Sequence, residues 1–433
     1  MCGIFGWFGN VDDEYKKHLL NYGKQRGRDG YGIESFAYTP IGLMVDRIFK
    51  GLYLDKNEID NVINKIGEKR GFSGANKEMV LGNFRATPTT EIETEIALLQ
   101  PYRGMVHNGV IANDKEIGNY KIDSMCLPDV FSDRKPSKIL ENLSRLKGSY
   151  AIAYYFENQL VLACNYKPIY YANVIDGFMF ASTPEMLPVK SHKVDAYTCL
   201  VIDCETGRIT EQIEIPRKQP NKAIVSCSGG LDSVTVAYML KNQDIEVTLA
   251  HFTYGCNAEQ RELNCLAEIA KHGNFEIAII SMPDVMQGTI LNGEFHDDGV
   301  EGTEYAHDWV SARNLLMLSM LTAYAENNGF GYIAFGGNLE ESGAYPDNEQ
   351  EFGRMFNELL PYSTQNGIKI ELLQPLSTYM KHEIVTIGTE LGVPYNLTWS
   401  CYGDGQKHCG NCAPCFMRKT AFERNGVKDP VMI

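Results

Sequence analysis

The chain has 433 residues, of which 44% are hydrophobic and 22% charged, a soluble composition too long for one ordinary domain and comfortable for two. A net charge of -15 argues against a broad nucleic-acid surface, which needs clustered Lys and Arg. No apolar run reaches the roughly 18 residues of a membrane span, and the opening MCGIFGWFGNVDDEYKK carries no basic leader, so a cytoplasmic protein with no membrane partner is expected.

In chain order, DDEYKKHLLNYGKQR reads as a helix, and a second helix is expected around Lys56 to Lys69. SYAIAYYF and LVLACN are apolar runs joined by ENQ, a hairpin signature. FMFAST and TCLVIDCETGRITEQIEI continue the strand pattern, the latter across a Thr-Gly turn. This half predicts a layered α+β domain with mostly antiparallel strands. The polar, proline-bearing segment from Pro216 to Pro220 reads as a linker. Beyond it, AIVSCS, VTVAYMLKN, IEVTLAHF, ELNCLAEIAKHG and FEIAIIS alternate strand and helix, which predicts a parallel sheet with helices on both faces.

Three constellations carry chemistry. Cys2 follows Met1 directly, and removal of Met1 leaves a thiol beside its own α-amine, whose pKa of about 8 suits a general base. The competing expectation is a small residue opening a buried strand. SCSGGLDS lies between a buried strand and a helix. Gly229 and Gly230 let the backbone approach a phosphate, Ser228, Ser233 and the first helical N–H groups can donate to its oxygens, and Asp232 sits where a magnesium partner is useful. The GK[ST] ending of a Walker loop is absent. Cys401, Cys409, Cys412 and Cys415 fall within fifteen positions of a chain holding 12 cysteines. Four thiolates at this spacing suit tetrahedral zinc in a closed structural site, with an iron–sulfur cluster as the competing metal reading.

The ordered motifs CGIFG, QRGRDGYG, LGNFRATP, HNGVIAN and FASTPEML resemble the class II (N-terminal nucleophile, Ntn) glutamine amidotransferases. The resemblance implies an αββα Ntn-hydrolase sandwich over residues 2–215 with Cys2 as nucleophile. It also implies Arg85 on the glutamine α-carboxylate, Asn108 and Gly109 as oxyanion hole, and Asp133 on the α-ammonium. Arg26 and Gly27 match the family's RG turn, whereas Arg28 departs from its usual aromatic residue or proline.

SGGLDS resembles the pyrophosphate-loop ATPases, which split ATP between its α and β phosphates and adenylate a substrate. Asparagine synthetase pairs such a loop with a glutaminase but lacks the cysteine cluster. From residue 222 onward the chain looks closer to 7-cyano-7-deazaguanine synthase, through WVSARN (Trp309 to Asn314), FGGNLEESGAYPDNEQEFGRMFN, Lys381 in YMKHEI and the tail TWSCYGDGQKHCGNCAPCFMR. That resemblance implies a doubly wound, adenine nucleotide α-hydrolase-like α/β domain over 221–433 with a zinc-binding tail at 401–415, and ATP, Mg2+ and Zn2+ as cofactors. Arg313, Asn314, Tyr345 and Asp347 are expected to line or support an acceptor pocket for a 7-deazaguanine base. Lys381 is expected to neutralise the α-phosphate of ATP, against the competing expectation of an exposed helix lysine.

Ser311 stands where that family usually has proline, and TYGCNAEQRE matches its YGQRH-type segment only loosely. The glutaminase is the largest departure. The products open at this stage are an amide, a nitrile, or an archaeosine-type amidine on tRNA or DNA; a homodimer stays open as well. A glutamine and ATP sensor without turnover and a zinc-dependent nucleic-acid module are the remaining readings.

Overall fold

The computed structural model describes residues 2–39, 42–68, 78–87, 95–282 and 310–431. Met1, Lys69, Pro88 and Trp309 of the sequence motifs lie outside them. The chain divides into two units, Met1–Pro216 and Arg217–Ile433.

The first unit stacks two antiparallel sheets. The strand Gly3–Gly9 runs between Gly177–Ala181 and Glu78–Arg85 in a seven-stranded sheet. It is buried at every position, as its unbroken run GIFGWFG requires. The second sheet has five strands in the order Ile209–Glu214, Thr198–Asp203, Gln159–Cys164, Gly148–Phe156, Met105–Ile111. Between the sheets lie Ile4, Phe8, Leu81, Val106, Ala151, Leu162, Phe180 and Leu200. The opposite face of the first sheet, with Phe5, Trp7, Ile33 and Val80, is covered by helices Asp13–Arg26 and Lys56–Gly67 through Leu19, Leu20 and Val62. Short helices Leu127–Val130 and Ile139–Ser144 cover Met105, Ile152, Tyr154 and Val161 on the second sheet. Alternation with period two sends each strand's side chains to both layers, so the order helix, sheet, sheet, helix follows from the strand pattern. This is an αββα sandwich, the architecture that the Ntn-hydrolase resemblance implies. Helix Asp13–Arg26 starts where the Asp12 side chain accepts from Glu14 N–H at 2.8 Å and ends with Lys24 and Arg26, in keeping with its dipole. Phe84 stacks on Phe5 at 4.9 Å, and truncating such a buried ring costs about 3–5 kcal/mol.

The second unit has one parallel sheet of five strands in the order Glu276–Ser281, Glu246–Thr253, Lys222–Ser226, Tyr332–Ala334, Glu371–Leu373. Helices Leu231–Lys241, Glu259–Gly273, Lys381–Glu390 and Ala413–Arg424 pack on one face, and Arg313–Asn328 and Gln350–Ser363 on the other. Chain progression reverses at Lys222–Ser226, whose neighbours are the strands that follow it on either side. Doubly wound sheets bind ligands outside the carboxyl ends of their strands at such a reversal. SGGLDS begins just past that end.

No helix among the described residues is long and apolar enough to cross a membrane.

Candidate active sites and metal centre

In the first unit, Gly3 pairs with Phe84, so Cys2 stands at the strand end opposite Arg85. The Ala86 N–H points to Cys2 Sγ at 3.4 Å, which holds the sulfur beside the end of Glu78–Arg85. Arg85 is buried, as are Asn83 and Asn108. Asn108 and Gly109 lie on Met105–Ile111, paired with Ala151 and Tyr150. Gly109 has φ 151°, and a Cβ there would stand 2.0 Å from the Ser149 carbonyl, so only glycine fits.

The backbone just before this pair is clamped. Gln100 Nε2 donates to the His107 carbonyl at 3.0 Å, and Gln100 Oε1 accepts from the His107 N–H at 2.6 Å. Asn83 Nδ2 adds a bond to the same carbonyl at 3.3 Å, crossing from the other sheet. Burial pushes the His107 imidazole below its ordinary pKa, and its Nδ1 lies 2.8 Å from Ser124 Oγ. Asp133 is on an exposed turn, where its carboxylate accepts from Lys135 N–H at 3.2 Å. Arg26 packs against Gly3, and its buried Nε has no hydrogen-bond partner among the described residues. Arg28 lines a separate cavity of about 310 Å³ with Lys24, Gly27, Tyr31, Tyr53 and Phe84.

In the second unit the loop from Ser228 to Ser233 is held by its own contacts. Gly229 takes φ 81° and its carbonyl accepts from Trp399 N–H at 2.9 Å. Gly230 caps helix Leu231–Lys241 and its N–H donates to Ser228 Oγ at 3.4 Å. Ser228 is exposed, whereas Ser233 is buried and donates to the Gly230 carbonyl at 3.3 Å. Ser228, Gly230, Asp232 and Ser233 all line a cavity of about 290 Å³. Arg313, Asn314, Tyr345 and Asp347 line the same cavity as these four loop residues, whereas Gly229 and Lys381 are not among its lining residues.

Lys381 is buried, which rules out an exposed helix lysine. Its ammonium donates to Asp232 and to Glu341, each at 2.6 Å. Two carboxylates against one ammonium leave one excess negative charge in a buried place. Burial raises the Asp232 carboxyl to about 6, Lys381 opposes the rise and Glu341 adds to it. Asp232 Oδ1 is buried without a hydrogen-bond partner. That orphaned oxygen, in a site with surplus negative charge, fits a divalent cation brought in with a nucleotide. From Glu341 the network continues: Asn348 Nδ2 donates to Glu341 Oε2 at 3.4 Å and Asn314 Nδ2 donates to Asn348 Oδ1 at 3.1 Å. One chain of polar contacts therefore joins Asp232 of the expected phosphate loop to Asn314 of the expected acceptor pocket. Burial raises the Asp347 carboxyl, opposed by the Asn314 N–H and the Arg313 charge.

The four sulfurs of Cys401, Cys409, Cys412 and Cys415 lie within 4.8 Å of one another. At a Zn–S length of 2.3 Å, tetrahedral geometry sets sulfurs about 3.8 Å apart. Cys409 and Cys415 are 3.9 Å apart. Backbone N–H groups of Gly403 and Cys409 point to Cys401 Sγ at 3.3 and 3.4 Å, and that of Cys412 to Cys409 Sγ at 3.3 Å, the pattern that supports thiolates. His408 Nε2 is occupied by the Ser400 N–H at 3.0 Å and stands outside the set. These residues fit a metal ion held by four thiolates. The tail also contributes Tyr402, Ala413, Pro414 and Met417 to the cavity wall.

A family model described as "Queuosine biosynthesis protein QueC" matches residues 222–426. The "7-cyano-7-deazaguanine synthase 2" of Sulfurisphaera tokodaii is 36% identical over 472 residues, covering 100% of this chain and 99% of that protein. This chain belongs to the 7-cyano-7-deazaguanine synthase family. The "7-cyano-7-deazaguanine synthase" of Sulfolobus acidocaldarius is 39% identical over 474 residues, again 100% of this chain and 99% of its own length. The family also has a short form: the synthase of Methanothrix thermoacetophila is 36% identical over 219 residues, 97% of its length and 48% of this chain. The N-terminal half is thus shared with the full-length relatives, and is no peculiarity of this member. Among solved structures, the "allosteric regulatory enzyme of purine biosynthesis" aligns with 96% of this chain and 95% of its own at 15% identity, with a TM-score of 0.38.

Residue types alone did not single out Asn83, Gln100, Glu262, Glu341 or Asn348.

Proposed function

We propose that this synthase-family chain releases ammonia from glutamine at Cys2 and adds it to an ATP-activated 7-carboxy-7-deazaguanine, giving the 7-amide and, after a second activation, the 7-cyano base. The observation that carries the reading is the cavity at the sheet's reversal point, where the phosphate loop and Arg313, Asn314, Tyr345 and Asp347 share one wall.

In the first unit, removal of Met1 frees the α-amine of Cys2, which takes the thiol proton. The thiolate attacks the glutamine amide, and the Asn108 side chain and Gly109 N–H stabilise the oxyanion. Arg85 orients the substrate through its α-carboxylate and Asp133 through its α-ammonium. Gln100 and Asn83 fix the backbone that presents the oxyanion hole. In the second unit Ser228, Gly229, Gly230 and Ser233 cradle the phosphates, and Asp232 would hold an accompanying Mg2+, which would neutralise phosphate charge. Lys381 keeps Asp232 and Glu341 in place and adds positive charge near the α-phosphate. The carboxylate of the acceptor attacks that phosphate and pyrophosphate leaves, which turns a poor acyl donor into one with a good leaving group. Cys401, Cys409, Cys412 and Cys415 would hold a metal ion, read as zinc, which would brace the tail that walls the cavity.

The test is to supply amide-15N glutamine and ATP with the carboxy base, the cyano base, cyano-modified tRNA and aspartate in separate reactions. Label in the amide or nitrile from the carboxy base supports the reading. Label only in the modified nucleic acid or only in asparagine defeats it.

A further inference from the structure

Two glutamates open helix Glu259–Gly273, and they are used differently. Glu259 Oε2 accepts from the Tyr254 and Gly255 N–H groups at 2.9 and 2.7 Å, so its carboxylate shapes the preceding loop. Glu262 lines the cavity, and its carboxylate accepts no hydrogen bond among the described residues. A half-buried carboxylate that faces a cavity and is held by no donor is available to a ligand.

Its placement narrows the use. The Glu262 backbone carbonyl lies 3.3 Å from where a Cβ on Gly229 would stand, so this turn of helix rests on the phosphate loop. Across the cavity Arg313 exerts its charge on the same carboxyl. Glu262 therefore lies between the groups expected to hold the nucleotide phosphates and those expected to hold the acceptor, which is where an acyl-adenylate carbon must sit.

We propose that Glu262 accepts the proton that the incoming nitrogen sheds when ammonia attacks the activated carbon. This inference rests on the proposed function. Ammonia's lone pair forms the C–N bond while the carbonyl π pair moves to oxygen. An N–H bond then breaks, its electron pair stays on nitrogen, and the proton goes to the Glu262 carboxylate. The oxygen pair re-forms the carbonyl as the C–O bond to AMP breaks and AMP leaves with that pair. Burial raises the Glu262 carboxyl to about 8, with Arg313 opposing and Glu259 adding to the rise. The other titratable groups that feel its charge are Tyr254 and Cys256 on the preceding loop, Cys227 beside the phosphate loop and Cys265 on its own helix. A carboxyl in that range both accepts and releases a proton near neutral pH, as a recycled base must.

The experiment uses the full chain with ATP, 7-carboxy-7-deazaguanine and ammonium chloride, so that Cys2 is bypassed. Acceptor-dependent ATP–pyrophosphate exchange reads adenylation, and amide formation reads nitrogen capture. Glu262→Gln should keep exchange within about 3-fold while amide formation falls by about 10²–10⁴, the usual worth of a positioned base. The wild-type rise of the amide-forming rate with pH through about 8 should vanish in Glu262→Gln and persist in Glu262→Asp at a lower rate. Unchanged amide formation in Glu262→Gln overturns the inference. So does loss of exchange together with amide formation while glutaminase activity at Cys2 is retained, because that outcome marks a binding role. Absence of exchange in the wild type defeats the proposed function, and this inference with it.

Discussion

Replacing Lys381 by methionine removes the ammonium and keeps most of the side-chain volume. Its side chain is 9% exposed, and those of its partners Asp232 and Glu341 are 19% and 24% exposed, so neither carboxylate has water enough to replace it. Removing one partner of a buried ion pair costs about 3–5 kcal/mol. For a unit of this size each kcal/mol is worth about 2–4 °C, so the melting transition of the second unit should fall by about 6–20 °C. The deficit should depend on pH. The Asp232 carboxyl, at about 6 against an ordinary 3.8, favours the fold in acid and loses that contribution as pH rises through about 6. Without Lys381 it is pushed higher still, so the deficit should be largest near about pH 8 and shrink towards about pH 5. Differential scanning calorimetry at both pH values measures this. A shift under about 2 °C, or one that grows in acid, would refute a buried triad with surplus negative charge.

Cys2→Ala should abolish glutamine-dependent product formation while leaving ammonium-dependent formation within about 3-fold, read by product mass spectrometry; equal loss of both would remove Cys2 from ammonia release. Gln100→Ala frees the His107 backbone, so the glutaminase kcat should fall by about 10- to 100-fold, short of the 10²–10³ for deleting an oxyanion donor, with KM for glutamine little changed. A rise in KM alone would show that Gln100 serves substrate binding. Cys412→Ser should lower the metal content measured by elemental mass spectrometry and weaken adenylation, since Ala413, Pro414 and Met417 of the following helix wall the cavity. Full metal retention would take Cys412 out of the ligand set.

Much of the architecture was legible because it is written in local patterns. The unbroken run AIVSCS before a glycine turn reads as a strand buried on both faces, and Lys222–Ser226 is the central strand. The hairpin of SYAIAYYF and LVLACN turns at Glu157, with φ 51°, as a tight turn demands. The four cysteines lie close enough in sequence for spacing alone to bring them together. What escaped the sequence is long-range. Lys381 meets Asp232 across 149 positions and Asn83 meets the His107 carbonyl across 24, and no periodicity records either contact. Lys381 is the sharpest case: the sequence resemblance singled it out for the α-phosphate, but not its two carboxylate partners. Gln100 and Glu262 were hidden for another reason. Their importance lies in which hydrogen bonds they make or lack, and residue type does not state that.

The central claim is that one chain joins nitrogen from glutamine to a carbon activated by adenylation. A doubly labelled reaction tests it most directly, with amide-15N glutamine and 7-carboxy-7-deazaguanine carrying 18O in its carboxylate. The account predicts 15N in the product and 18O in the phosphate of AMP. Product without 15N, or 18O in inorganic phosphate with none in AMP, would contradict it.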